Sequence, residues 1–202
     1  MSVHTLSGHT LHEGAFDADY LVDLRVQIRK SRYFTQNNLN RDFVGTRGFS
    51  VVFHRTALPR VRVEFPWSAR FLDKALRPDG NAFYFNPLQL TAGSHVSPHI
   101  DRSLRAYMLD VNPPLQVSVL YVEVPNAMRG GDLVLRRGRK FLGRVTPREG
   151  LLVQFDGDLE HGVDRVETPG QRLSLVCEQY LLDEEELEQV PEYAIESRAK
   201  TY

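Results

Sequence analysis

From residue 81 onward the chain is built of short apolar runs cut by turn residues, and that rhythm admits few folds. Residues 82–90, 117–124, 132–136, 151–155 and 172–180 are rich in Val, Leu, Phe and Tyr, with Pro, Gly, Asn or Asp clusters between them. Runs of that length and punctuation predict an antiparallel β sandwich or barrel. Upstream, residues 17–34 predict a helix. Leu21, Leu24, Val26 and Ile28 supply an imperfect apolar face, and Asp17 or Asp19 is available as a cap. Residues 48–54 (GFSVVFH) predict a strand, and 66–76 a second amphipathic helix, opened by Pro66 and stopped before Pro78-Asp79-Gly80. The acidic run from Asp183 (DEEELE) reads as a short solvated helix.

Composition narrows the partners. The 202 residues are 42% hydrophobic and include 8 Tyr and 11 Phe, ample material for a core. With 25 Lys+Arg against 26 Asp+Glu there is no electrostatic footprint for nucleic acid or an anionic membrane, and neither is expected as a partner. No apolar run reaches the ~18 residues of a bilayer span. The polar N-terminus has no apolar core of signal-peptide length, and the one cysteine, Cys177, excludes an intrachain disulfide. A cytoplasmic protein is the expectation. Oligomeric state has no signature in the sequence.

The chemistry gathers in a few residues. His99 and Asp101 form an H-x-D pair (SPHIDRS), and on a strand, side chains two apart project from one face. His161, in a polar stretch read as a loop (DGDLEHGV), is the best third ligand. Two histidines and a carboxylate make the facial triad of non-haem Fe(II), with open positions left for co-substrate and oxygen. The plain alternative is a surface ion pair and an unrelated loop histidine. Downstream, Arg172 and Ser174 alternate within an apolar strand (QRLSLVCEQY). An inward arginine is costly unless it meets an anion, and its planar fork suits a carboxylate. A metal face beside an inward Arg/Ser pair suits a chelating dicarboxylate, 2-oxoglutarate.

In order, the chain carries Gly93 six residues before His99, His99-Ile100-Asp101, Val119-Leu120-Tyr121, Gly130-Gly131-Asp132-Leu133, Val145-Thr146-Pro147, His161 and Arg172-Leu173-Ser174. This set resembles the core of the Fe(II)- and 2-oxoglutarate-dependent oxygenase superfamily, and within it the prolyl-hydroxylase-like branch. The resemblance implies a mainly β fold with flanking α-helices. Its double-stranded β-helix (jelly-roll, cupin-like) core would span 81–182, buttressed by helical and strand segments over 1–80 and followed by an acidic tail over 183–202, one oxygenase domain in all. It also implies Fe(II) on His99, Asp101 and His161. The distal carboxylate of 2-oxoglutarate would sit on Arg172 and Ser174, with Tyr121 touching the same co-substrate, and no catalytic residue is implied beyond the metal site. The reaction implied is hydroxylation of an unactivated C–H bond of an amino-acid residue, peptide or small molecule, with O2 consumed and 2-oxoglutarate decarboxylated to succinate.

Departures from the family pattern are informative. Leu90 stands where many members have a tyrosine, Arg172 where collagen-type members commonly use lysine, and Asp101 is a true carboxylate, unlike the halogenating relatives. The alternative function is a non-redox, cupin-like metal- or carboxylate-binding or sensing protein.

Other signals read more plainly. His95 is expected in a rim or loop, Arg136 to Lys140 around Gly138 as a solvated hairpin turn, and Asp156 and Asp158 as loop-shaping residues. Cys177 reads as a small buried hydrophobe. His4, His9 and His12 are expected in a mobile polar segment.

Overall fold

A computed structural model describes residues 2–36 and 43–198 of the chain. In chain order the elements are strands β1 (Ser2–Leu6) and β2 (His9–Glu13), helix α1 (Ala18–Lys30), strands β3 (Thr35–Gln36), β4 (Phe43–Val44), β5 (Arg47–Gly48) and β6 (Ser50–His54), and helices α2 (Leu58–Glu64) and α3 (Ala69–Ala75). There follow strands β7 (Ala82–Thr91), β8 (His95–His99), β9 (Gln116–Glu123), β10 (Leu133–Arg137), β11 (Lys140–Val145), β12 (Leu152–Asp156), β13 (Glu160–Val163) and β14 (Gln171–Tyr180). Helix α4 (Glu184–Gln189) and strand β15 (Tyr193–Glu196) complete the set. The architecture is a jelly roll of two antiparallel sheets. The larger runs β1-β2-β12-β9-β14-β7-β5-β3, with β6 also on β7 and β15 on β6; the smaller runs β11-β10-β13-β8-β4.

Helices α1, α2 and α3 cover the outer face of the larger sheet. Asp17 caps α1, its carboxylate accepting from the Tyr20 amide at 2.8 Å, and Arg29 and Lys30 complement the dipole at the other end. Leu21, Leu24 and Ile28, at i, i+3 and i+7, pack with Phe71 and Leu72 of α3 against Phe83 and Phe85 of β7, Leu120 of β9, and Leu173, Leu175 and Cys177 of β14. Val26, expected on this face, lies on the solvent side. Helix α1 ends at Lys30 rather than at 34, and the expected helix over 66–76 divides into a 3-10 turn, Pro66–Ser68, and α3. The alternate residues of the same strands, Val117, Val119 and Tyr121, turn inward to meet Leu133 and Leu135 of the smaller sheet. Period-two alternation therefore decides which side chains see helices and which see the barrel interior.

Three expectations are corrected. The N-terminal histidines sit in the β1–β2 hairpin, not in a mobile segment. β2 pairs with β12, which places His12 Nε2 2.9 Å from the Gln154 side-chain oxygen and buries His9. His95 belongs to β8 and His161 to β13, strands too short and too interrupted by Pro98 and Gly162 to register in the sequence. The hairpin turn at Gly138 is present between β10 and β11. Helix α4 carries a capping box, Asp183 with Glu186. Among the described residues no helix is long and apolar enough to cross a membrane.

Phe85 is fully buried, with its ring 5.9 Å from Trp67 and 6.0 Å from Phe71. Phe85→Ala is expected to cost about 3–5 kcal/mol, read as a lower urea midpoint at unchanged slope.

Candidate active site

The smaller sheet brings two histidines face to face. β13 pairs with β8 so that His161 lies opposite His99, and their ring centroids are 4.5 Å apart. Each ring is steadied in the same way, with Nδ1 against the carbonyl two residues earlier: Ser97 for His99 at 2.8 Å and Leu159 for His161 at 3.1 Å. Donation from Nδ1 leaves the Nε2 lone pairs free and aims them at one point, the support that metal-ligating histidines ordinarily have. Asp101, two residues beyond His99, fills that point. Oδ1 lies 3.1 Å from His99 Nε2, and Oδ2 lies 3.4 Å from His161 Nε2. The ligand atoms of the three residues all fall within 4.8 Å of one another. Phe155 walls the cluster, its ring 4.8 Å from that of His161.

The electrostatics ask for a cation. Burial works against a charged Asp101, yet the charge and hydrogen bonds of His161 and His99 overcome it and hold the carboxyl well below the usual range. Burial likewise opposes a charged His99, and the hydrogen bond and charge of Asp101 prevail, raising it to about 9. The two imidazoles offset the buried carboxylate. A divalent metal held on their Nε2 lone pairs would do the same.

A second polar group lines the same cavity. In the β14–β9 pairing Ser174 lies opposite Tyr121, and Arg172 reaches over that ring, its guanidinium carbon 4.7 Å from the centroid. Arg172 is 3% exposed and donates through Nη1 to the Gly131 carbonyl at 2.7 Å. Its Nε, the Tyr121 hydroxyl and the Ser174 hydroxyl are all buried without a hydrogen-bond partner. Burial pushes the Arg172 guanidinium down and the Tyr121 phenol up. The orphaned Nε of this cation and the two orphaned hydroxyls beside it could take an anion, because each unpaired buried donor costs roughly 1–3 kcal/mol. Leu90 lies opposite Arg172 on β7 and contributes only apolar wall.

The Gly130-Gly131 pair makes this possible. Both residues have φ of 73°, and a Cβ on Gly130 would fall 2.0 Å from the Arg165 carbonyl oxygen. The turn thereby presents the Gly131 carbonyl to Arg172.

The remaining sequence candidates are accounted for. Arg137 pairs with Asp156 at 2.8 Å and Asp158 at 3.1 Å, which holds both aspartates on the surface. His95 lines an adjoining groove with Arg136, Arg144 and Arg165, and His161 borders both that groove and the cavity. Sequence reasoning missed Tyr84, Asn86, Ser103 and Glu178, which all line the cavity. Glu178 was legible by alternation from Arg172; the others were not.

No family model and no curated protein matches the sequence. Solved structures do match. A prolyl-4-hydroxylase of Pseudomonas putida is 17% identical, with 87% of this chain and 94% of that one covered at a TM-score of 0.59. A prolyl hydroxylase of Trichoplax adhaerens, in complex with a peptide from the oxygen degradation domain of hypoxia inducible factor, is 13% identical, with coverages of 86% and 84% and a TM-score of 0.60. HygX of Streptomyces hygroscopicus, with nickel and 2-oxoglutarate bound, is 16% identical, with coverages of 84% and 81% and a TM-score of 0.57. The fold is that of the 2-oxoglutarate- and Fe(II)-dependent oxygenases. At these identities the likeness concerns the fold alone.

Gly130→Ala is expected to lower stability by at least about 2 kcal/mol, since the clash adds to left-handed strain of roughly 1–2 kcal/mol. Gly138→Ala, with φ of 58° and open space around it, carries the strain alone. Parallel urea melts of the two variants check the difference.

Proposed function

We propose that this chain is an Fe(II)- and 2-oxoglutarate-dependent oxygenase that hydroxylates an unactivated C–H bond of an amino-acid residue, a peptide or a small molecule. One observation carries the reading: the His-Asp-His cluster shares a cavity with buried Arg172 and Ser174, and the Arg172 Nε, the Ser174 hydroxyl and the neighbouring Tyr121 hydroxyl have no hydrogen-bond partner. A metal site alone fits many proteins. A metal site beside an unfilled carboxylate receptor fits a chelating keto acid.

His99 and His161 would hold the metal through Nε2, and Asp101 through its carboxylate. Fe(II), when bound with 2-oxoglutarate and O2, supplies the oxidising power, and the keto acid leaves as succinate and carbon dioxide. Arg172 would pair with the distal carboxylate, with Ser174 and Tyr121 donating their hydroxyls to it. Leu88, Val117, Val119, Leu133, Phe155 and Val176 form dry walls that exclude water and strengthen each of these interactions. The chain's task is to orient and to shield, since the redox chemistry belongs to the cofactor. The prolyl hydroxylase seen with a peptide supports a peptide among the substrate classes.

The first test is an anaerobic titration with Fe(II) and then 2-oxoglutarate. The weak visible charge-transfer band of a chelated keto acid is expected in the unaltered protein and absent from His161→Ala. His99→Ala and Asp101→Ala should abolish 2-oxoglutarate turnover while leaving the circular dichroism spectrum unchanged. A folded protein that gives no band would point instead to non-redox binding of a metal or carboxylate. Arg172→Ala should raise the half-saturating 2-oxoglutarate concentration by about 100-fold, from the loss of charged hydrogen bonds worth roughly 1.5–3 kcal/mol each. An unchanged requirement would remove Arg172 from the site.

A further inference from the structure

The three ligands are not braced alike. His99 and His161 are each fixed by a backbone carbonyl at Nδ1. Asp101 has no such support: among the described residues its oxygens meet only the two imidazoles. Its backbone also lies past the end of β8, whose ladder stops at His99, and its neighbour Ile100 is 40% exposed. A carboxylate on an untethered chain end would not hold its place between two rings.

The tether lies two residues further on. The Ser103 amide donates to Glu178 Oε2 at 3.2 Å, and the Ser103 hydroxyl donates to Oε1 at 2.5 Å. The Tyr180 hydroxyl donates to Oε2 as well and accepts from the same Ser103 amide at 3.2 Å. Fully buried Leu104 follows, within the 3-10 turn Ser103–Ala106. Glu178 is 3% exposed and lines the cavity with the metal ligands. Three donors of the chain itself take most of the four acceptor positions of its carboxylate, which leaves little capacity for a ligand. Burial, reinforced by the nearby charge of Asp101, pushes Glu178 up to about 8, so the position is a costly one for a carboxylate.

We propose that Glu178 is a positioning residue of the metal centre: acting through Ser103, it fixes the segment that carries Asp101 and so holds that carboxylate at the Nε2 atoms of His99 and His161. The inference rests on the metal-centre reading above. It makes β14 the common reference for both halves of the site. Arg172 and Ser174 stand at one end of the strand and Glu178 stands six residues along from Arg172 on the same face, about 20 Å away at the rise of an extended strand.

The test is Co(II) binding by calorimetry to the metal-free protein and to Glu178→Gln, Glu178→Ala and Ser103→Ala, with the visible Co(II) bands recorded and folding checked by circular dichroism. Glu178→Ala is expected to weaken Co(II) binding by about 10–100-fold and to shift the bands. Glu178→Gln should stay within about threefold of the unaltered protein, because the amide oxygen accepts from the Ser103 amide and the amide nitrogen donates to the Ser103 hydroxyl. Ser103→Ala, which deletes one of the three bonds, should fall between them, and it decides the matter if Glu178→Ala does not fold. A purely structural role would lower the melting temperature without moving the affinity or the bands of the folded protein, and that outcome overturns the proposal. So does a Glu178→Gln as impaired as Glu178→Ala, which would make charge the operative property. No Co(II) uptake by the unaltered protein would remove the metal centre itself, and this inference with it.

Discussion

Strand β14 lies between β9 and β7 near the middle of the larger sheet, and its two faces meet different environments. Leu173, Leu175 and Cys177 face the helical layer, while Arg172, Ser174, Val176 and Glu178 face the cavity. Ten residues of continuous pairing with β7 leave the strand no freedom to slip, because a one-residue shift would drive Arg172 and Glu178 into the apolar layer and expose the leucines to the cavity. The register that buries the core also sets where the charged side chains stand.

Among the described residues, the ionisable groups Arg172, Asp101 and Glu178 inside the barrel are each held by a different kind of partner. Arg172 is held by the Gly131 carbonyl and the Tyr121 ring, an arrangement that orients it without neutralising it. Asp101 lies between the two imidazoles, its oxygens 3.1 and 3.4 Å from their Nε2 atoms. Glu178 is satisfied by neutral donors alone among its hydrogen bonds. The interior is thus pre-organised for a cation at one point and an anion at another. The surrounding valines, leucines and Phe155 keep the local dielectric low enough for both preferences to count.

The legibility of this site in the sequence follows the range of the forces involved. The H-x-D spacing and the Arg172/Ser174 alternation were readable because strand periodicity is local. The five apolar runs of the core all became strands, displaced by no more than a residue or so at their ends. His161 stands out in the sequence as the third ligand, yet its polar segment predicts a loop where the structure has a strand. Residues 160–163 form a strand only because β10 and β8 flank them, and the isolated segment has little propensity of its own. The N-terminal hairpin has no local signature for the same reason: β2 is polar, and β12 supplies the pairing that orders it.

What the sequence determined by itself was the set of short-range facts: which segments alternate, where turns fall, and which ligand types stand two apart. Those suffice to specify a mainly β architecture and to nominate His99, Asp101, His161, Arg172 and Ser174, while Tyr121 enters only through the family resemblance. The tertiary structure alone decided that His161 faces His99, that Tyr121 lies under Arg172, and that Glu178 reaches Ser103. Each of those pairs is separated by tens of residues along the chain. They meet only because two twisted sheets close over a common interior, a condition set by the burial of the whole core and not by any local propensity.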